Sequence, residues 1–220
     1  MIKDQLKLCL VTNAQTEPFS LYKEFILKAV EGGVTLIQLR EKSKNVTQIR
    51  HMALELKAIL DPFNIPLIIN DHVEIVKEID ADGVHLGQSD LSPDDARQFL
   101  GPTKIIGWSI ETLEELEIAN QLTCIDYIAA SAVFSSKTKS DCKTIWGLDG
   151  LRKITEKSKH PVVAIGGIDQ QNIQHIIENG ASGAAVISAI HCQNDPKKAA
   201  RDLITEINKS IPVTLQDARF

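Results

Sequence analysis

The stretch "HPVVAIGGIDQQNIQHIIENGASGAAVIS" (160–188) decides the fold. Two apolar runs, 160–167 and 182–188, flank a segment of helical period. Each run is short, β-rich and apolar at nearly successive positions, which marks a strand buried on both faces. Between them, Ile173, Ile176 and Ile177 fall on one helical face. Asp169 stands where an N-cap is expected, and Gly180 where a helix is expected to stop. Strand, helix, strand with short connections is a parallel βαβ unit with a right-handed crossover.

Outward from this unit the same alternation continues to the N-terminus. Further candidate strands cover 6–12, 34–40, 65–70, 82–87, 103–109 and 124–131, which makes eight in all. The gaps carry helical period and stop signals. "LSPDDARQFLG" opens with Ser92 as a cap and Pro93 at the first helical position. "SIETLEELEIANQL" sets Leu113, Leu116 and Ala119 on one face, with Ser109 or Thr112 available to cap. "FILKAVEGG" ends in glycine just before the second strand. Eight is the closing number of the (β/α)8 TIM barrel, and the reading is a single-domain α/β barrel over 1–208 with a C-terminal tail over 209–220. An open doubly wound sheet is the competing arrangement. The one long connection follows strand six, at 131–147.

Composition excludes several classes. A chain of 220 residues with 43% hydrophobic residues can bury one large core without staples. A net charge of −5 offers no general footprint for nucleic acid or an acidic membrane, so anion binding must come from local cation clusters. No run approaches the ~18 apolar residues of a membrane span. Cys9, Cys124, Cys142 and Cys192 form no CxxC pair and read as reduced thiols, and no signal peptide is visible, so the expected location is the cytoplasm.

In a barrel the active site lies at the C-terminal ends of the strands. Gln38, Arg40 and Lys42 follow strand two, Asn70 and Asp71 strand three, and His85, Gln88 and Asp90 strand four. Ser109 ends strand five, and Ser136, Thr138 and Lys139 lie in the loop after strand six. Gly166 and Gly167 follow strand seven, and Ser188 closes strand eight. Arg40, Lys42 and Lys139 suit a polyanion such as a diphosphate, although "REKSK" alone also reads as a solvated helix entrance. Asp71 and Asp90 beside that cluster suit a hard cation such as Mg2+, although two unrelated caps would look the same. The glycines after strand seven and the end of strand eight suit backbone N–H binding of a second phosphate, or only a tight turn. His85 points opposite to Val84 and Leu86, and a satisfied core histidine is the safer reading over a proton-transfer group.

These residues carry a resemblance. The motifs "IQLREK" (37–42), "IND" (69–71), "DGVHLGQSD" (82–90), "GWS" (107–109), "SKTK" (136–139), "VVAIGGI" (162–168) and "GAAVISAI" (183–190) occur in the order and spacing of the thiamine phosphate synthase (thiamine-phosphate pyrophosphorylase) family. The chain resembles that family over about 6–206. The resemblance implies a transferase of thiamine biosynthesis. It would join 4-amino-2-methyl-5-hydroxymethylpyrimidine diphosphate to 4-methyl-5-(2-phosphooxyethyl)thiazole with loss of pyrophosphate, by a dissociative substitution. It also implies Gln38, Arg40, Lys42, Asn70, Ser109 and Lys139 as pyrimidine diphosphate contacts, with Arg40, Lys42, Ser109 and Lys139 as the catalytic set. Asp71 and Asp90 are then the Mg2+ ligands, and Ser136, Lys137, Thr138, Gly167, Ile187 and Ser188 the thiazole phosphate site. The implied partners are these two small molecules, with no nucleic acid and no membrane; a homo-oligomer is compatible. His72, Ser131-Ala132, Ser136 and Glu111 depart from the usual family pattern. A thiazole tautomerase-like isomerase and a non-catalytic thiazole phosphate-binding protein are the alternatives. Retention of both carboxylates and of the cations argues against each.

Overall fold

The computed structural model describes residues 2–14, 18–135 and 143–211. Eight parallel strands close into a barrel in the order of the sequence, β1 to β8, with β1 pairing β8. They are β1 Leu8–Val11, β2 Leu36–Leu39, β3 Leu67–Asn70, β4 Gly83–Leu86, β5 Ile105–Ile110, β6 Tyr127–Ser131, β7 Val162–Ile165 and β8 Gly183–Val186. Every expected strand is present, and closure rules out the open sheet. The helices are α1 Ile2–Gln5, α2 Phe19–Gly32, α3 Val46–Leu60, α4 Val73–Ile79, α5 Pro93–Leu100, α6 Leu113–Ala119, α7 Gly147–Lys157, α8 Ile173–Glu178, α9 Ser188–His191 and α10 Pro196–Ser210. None of the described helices is long and apolar enough to cross a membrane.

Two cores form because alternate residues of each strand face opposite ways. Outward residues such as Leu8, Leu10, Ile37, Leu39, Val84 and Leu86 pack under the helix ring. Inward residues, among them Leu36, Ile68, Val163 and Ala185, fill the lower barrel. Burying a Leu or Ile from this set is worth roughly 1.5–3 kcal/mol each, so the floor of the barrel is rigid. Higher up, the inward positions turn polar. Leu36 gives way to Gln38 and Ile68 to Asn70 two residues on, and Ile105 to Ser109 four residues on. This change of character within each strand is what makes one end of the barrel a site.

The caps follow local chemistry. Ser92 Oγ accepts from the Asp95 N–H and Thr112 Oγ1 from the Glu115 N–H, as expected for Ser92 and Thr112. Asn45 and Gln48 exchange side-chain and backbone hydrogen bonds at the start of α3, a full capping box. Gly33 takes φ +115 and ends α2.

Three expectations are corrected. Asp169 does not cap α8, which begins at Ile173 with Asn172 before it; Asp169 accepts from the Gln171 N–H and closes a turn instead. Leu113, the first residue of α6, is 37% exposed, and only Leu116 and Ala119 of the expected face are buried. Ser188 does not close β8: Ile187 leaves the extended region with φ −121 and ψ −80, and Ser188 opens the short helix α9.

Candidate active site

The C-terminal mouth holds a cavity of about 410 Å³. All ten described residues expected at the site line it: Gln38, Arg40, Lys42, Asn70, Asp71 and Asp90 on one side, Ser109 at the side of β5, and Gly167, Ile187 and Ser188 opposite. Ser136, Lys137, Thr138 and Lys139 lie outside the described residues.

The cationic wall starts at β2. Thr12, buried at the end of β1, accepts the Arg40 N–H through its hydroxyl at 2.9 Å, which fixes the backbone where the strand ends. Within "REK", Glu41 turns away from the cavity. It is 7% exposed, and its Oε1 accepts the Ala14 N–H at 2.9 Å. The alternation thus sends Arg40 and Lys42 to the cavity and spends the carboxylate on tying β1 to β2. The capping box at Asn45 then holds the far end of the same loop.

Asp71 and Asp90 stand beside that wall. Asp71 has φ +67, a left-handed conformation that Asp tolerates, and its N–H donates to the His85 carbonyl across β3 and β4. Burial, and after it the adjoining Asp90 carboxylate, push the Asp71 carboxyl up to about 6; Lys42 and Arg40 pull it partly back. Asp90 accepts the Gly87 N–H through Oδ2 at 2.6 Å, which sets the loop, and its carboxylate adjoins Asp71 at the cavity wall. Two crowded carboxylates, one of them held up toward protonation, form a place where a cation would be welcome. Among the described residues no cluster of three or more His, Cys, Asp or Glu could hold a metal. A pair of carboxylates fits Mg2+, which keeps several waters and completes its shell with phosphate oxygens.

Gln38 and Asn70 meet inside the barrel, the Gln38 amide donating to Asn70 Oδ1 at 3.0 Å. That bond uses one donor and one acceptor of the pair. The Gln38 carbonyl oxygen and the Asn70 N–H groups remain as a neighbouring acceptor and donor, a match for one edge of an aminopyrimidine.

The opposite wall comes from β7 and β8. Gly166 and Gly167 have φ +105 and +63. A Cβ on Gly167 would fall 2.7 Å from Phe134 Cβ and from the Ser135 carbonyl oxygen. The two glycines therefore serve a close approach of the β6 and β7 loops, tied by Phe134 N–H to Gly166 O at 3.0 Å, as well as a left-handed turn. Behind this wall His191 anchors α9. Its Nδ1 lies 2.9 Å from the Ile187 carbonyl and its Nε2 lies 2.8 Å from the Tyr22 hydroxyl, which also accepts the Asn13 N–H. Only an N–H can meet a carbonyl, so Nδ1 carries the proton and Tyr22 donates to Nε2. Burial lowers the His191 pKa and keeps the ring neutral in this role.

Sequence reasoning missed Tyr127, which lines the cavity and bonds His85. His85 is buried with both ring nitrogens hydrogen-bonded, in line with a satisfied core histidine. The signal for Tyr127 was available: in β6, Tyr127, Ala129 and Ser131 share the inward face, and a large ring there needs a small neighbour, Gly107, on β5. It was masked because β6 is buried on both faces, so its own pattern does not say which residues face in.

Comparison with known proteins agrees with this geometry. A family model described as thiamine monophosphate synthase matches residues 8–190. A thiamine-phosphate synthase from Chlamydia caviae is 42% identical over 207 residues, covering 93% of this chain and 97% of that one. One from Vibrio campbellii is 46% identical over 198 residues, covering 90% and 96%. The solved structure of a thiamine phosphate pyrophosphorylase from Pyrococcus furiosus superposes with a TM-score of 0.87 at 33% identity, covering 96% of this chain and 100% of that one. Site, barrel and sequence relationship converge, and the chain belongs to the thiamine monophosphate synthase family.

Proposed function

We propose that this chain forms thiamine phosphate by transferring a pyrimidinylmethyl group from 4-amino-2-methyl-5-hydroxymethylpyrimidine diphosphate to the nitrogen of 4-methyl-5-(2-phosphooxyethyl)thiazole. The observation that carries the reading is one mouth with two differently equipped walls. Cations and paired carboxylates stand on one side, and close-approach glycines with Ser188 on the other. A diphosphate suits the first wall and a single phosphate the second.

In this reaction the C–O bond to the diphosphate breaks, and its electron pair leaves with pyrophosphate. The thiazole nitrogen then donates its lone pair to the pyrimidinylmethyl carbon, and the new C–N bond leaves the positive charge on the thiazolium ring. No general base is required. Arg40, Lys42 and Lys139 stabilise the charge gathering on the leaving group, where fixed charges count for more than in water. Asp71 and Asp90 would hold Mg2+, which supplies further neutralisation of the diphosphate when bound. Gln38 and Asn70 orient the aminopyrimidine edge, and Ser109 contacts the same ring. Ser136, Lys137, Thr138, Gly167, Ile187 and Ser188 hold the thiazole phosphate, so that the two reactants meet in line. The reading includes one catalytic domain over 1–208 and a cytoplasmic location.

The test combines wild type with Asp90→Asn. The amide keeps an oxygen for the Gly87 N–H, so the loop is preserved while the charge is lost. Wild type releases pyrophosphate only when both substrates and Mg2+ are present. Asp90→Asn loses turnover on the order of a thousandfold, with an unchanged circular dichroism spectrum. Tight binding of the thiazole phosphate by wild type with no pyrophosphate released would contradict the reading, and so would an Asp90→Asn variant of near-normal rate at limiting Mg2+.

A further inference from the structure

Three polar side chains run from the barrel floor to the cavity, and the chemistry above uses only the last of them. The Tyr127 hydroxyl lies 2.9 Å from His85 Nδ1, and His85 Nε2 lies 2.8 Å from Ser109 Oγ. Tyr127 and His85 are 3% and 6% exposed. Their strands frame the row: His85 is paired with Gly107 across β4 and β5, and Gly107 with Tyr127 across β5 and β6. A Cβ on Gly107 would collide with Tyr127 Cζ and its hydroxyl. The absence of a side chain at 107 is what lets the phenol reach across β5 to the imidazole.

The direction of the hydrogen bonds follows from counting protons. A phenol has one to give. Among the described residues the Tyr127 hydroxyl has one hydrogen-bond partner, His85 Nδ1. Were the phenol to accept from an Nδ1–H, its own O–H would be buried without an acceptor, which a buried donor does not tolerate cheaply. Donation satisfies it and makes Nδ1 the lone-pair nitrogen. The proton of the neutral imidazole then sits on Nε2 and is donated to Ser109 Oγ. Burial raises the phenol pKa well above its ordinary value, so Tyr127 stays a donor. With its oxygen already accepting from His85, Ser109 turns its own proton toward the cavity that it lines.

We infer that Tyr127 and His85 form a one-way donor relay that fixes the Ser109 hydroxyl as a hydrogen-bond donor, so that this point of the site selects a ligand atom with a lone pair, a ring nitrogen of the pyrimidine, over one that carries hydrogen. Tyr127 and His85 are positioning residues that set specificity through Ser109. The choice of ligand rests on the proposed pyrimidine contact at Ser109, whereas the direction of the relay does not.

Two measurements on the full chain test it. Long-range proton–nitrogen NMR of the protein labelled with 15N-histidine reads the tautomer without any ligand. The expected His85 signals are a protonated Nε2 and a bare Nδ1 in wild type, and a mixture of the two tautomers in Tyr127→Phe. A wild-type His85 with its proton on Nδ1 overturns the relay. The second measurement compares the pyrimidine diphosphate with its two pyridine analogues, each with one ring nitrogen replaced by C–H. In wild type one analogue loses on the order of tenfold in kcat/KM. In Tyr127→Phe, whose Ser109 is free to turn and accept, that penalty shrinks severalfold while the KM for thiazole phosphate stays unchanged. Equal penalties in the two proteins overturn the specificity role. Absence of turnover with the parent substrate would overturn the proposed reaction, while the NMR result would still decide the relay.

Discussion

At the scale of single residues, the site is a set of charges that the order of strands brings to one end of the barrel. Asp71 shows the consequence. Its carboxyl is raised to about 6, first by burial and then by Asp90. A folded-state pKa above the unfolded one means that the Asp71 contribution to stability is present at low pH and is lost as pH rises through about 6, when metal is absent. A cation needs the carboxylate, so binding of Mg2+ has the opposite dependence and strengthens over the same range. The thermal stabilisation given by a fixed Mg2+ concentration should therefore be clearly larger at about pH 7.5 than at about pH 5. Equal stabilisation at the two pH values would contradict the assignment of Asp71 to the cation. The carboxylates were legible in the sequence because Asp71 directly follows β3 and Asp90 lies in the short loop after β4, and so were Arg40 and Lys42 in the loop after β2. Tyr127 was not, since its importance depends on the vacancy at Gly107, a neighbour in space that lies twenty residues earlier in the chain.

At the scale of elements, the strands were readable and the smallest helices were not. Eight apolar runs bounded by turn residues leave little freedom when helices alternate with them. Helix α9 has four residues, too few to show a period, so Ser188 reads in sequence as a strand end. Asp169 failed as a cap for a related reason: Asp, Asn and Ser stabilise turns by the same local bonds with which they cap helices, and here the turn at Asp169 comes first. The position of α9 depends on a contact across the barrel seam, from Tyr22 of α2 to His191. Tyr22→Phe removes the donor to His191 Nε2 and the acceptor for the Asn13 N–H together. It should destabilise the protein by about 1–3 kcal/mol, read as a lower urea midpoint at unchanged slope. A midpoint equal to that of wild type would mean that α9 is held by packing alone.

At the scale of the whole molecule, closure of the barrel and formation of the site are one event. The cavity wall takes residues from all eight strands, with the cations and carboxylates following β2, β3 and β4 and the second phosphate wall following β7 and β8, so no half of the chain contains both phosphate walls. Closure joins β1 to β8, and outside them α10 packs against α2 and α8. Gly32 permits that contact, since a Cβ there would strike Lys197 O and come within 2.7 Å of Ala200 Cβ. The rigid lower core carries stability, while the upper inward positions carry polar groups that no packing argument requires. That division is why sequence order alone pointed to the mouth. What it could not supply was the pairing of groups across the interior, such as Gln38 with Asn70 or His85 with Ser109. The central claim is that the two walls bind two phosphorylated reactants and join them. It is tested most directly by incubating the purified protein with pyrimidine diphosphate, thiazole phosphate and Mg2+ and quantifying thiamine phosphate by mass spectrometry beside the pyrophosphate released. Equimolar thiamine phosphate and pyrophosphate, with neither formed when one substrate is left out, is the predicted result; pyrophosphate without thiamine phosphate, or no product while both substrates bind, would contradict it.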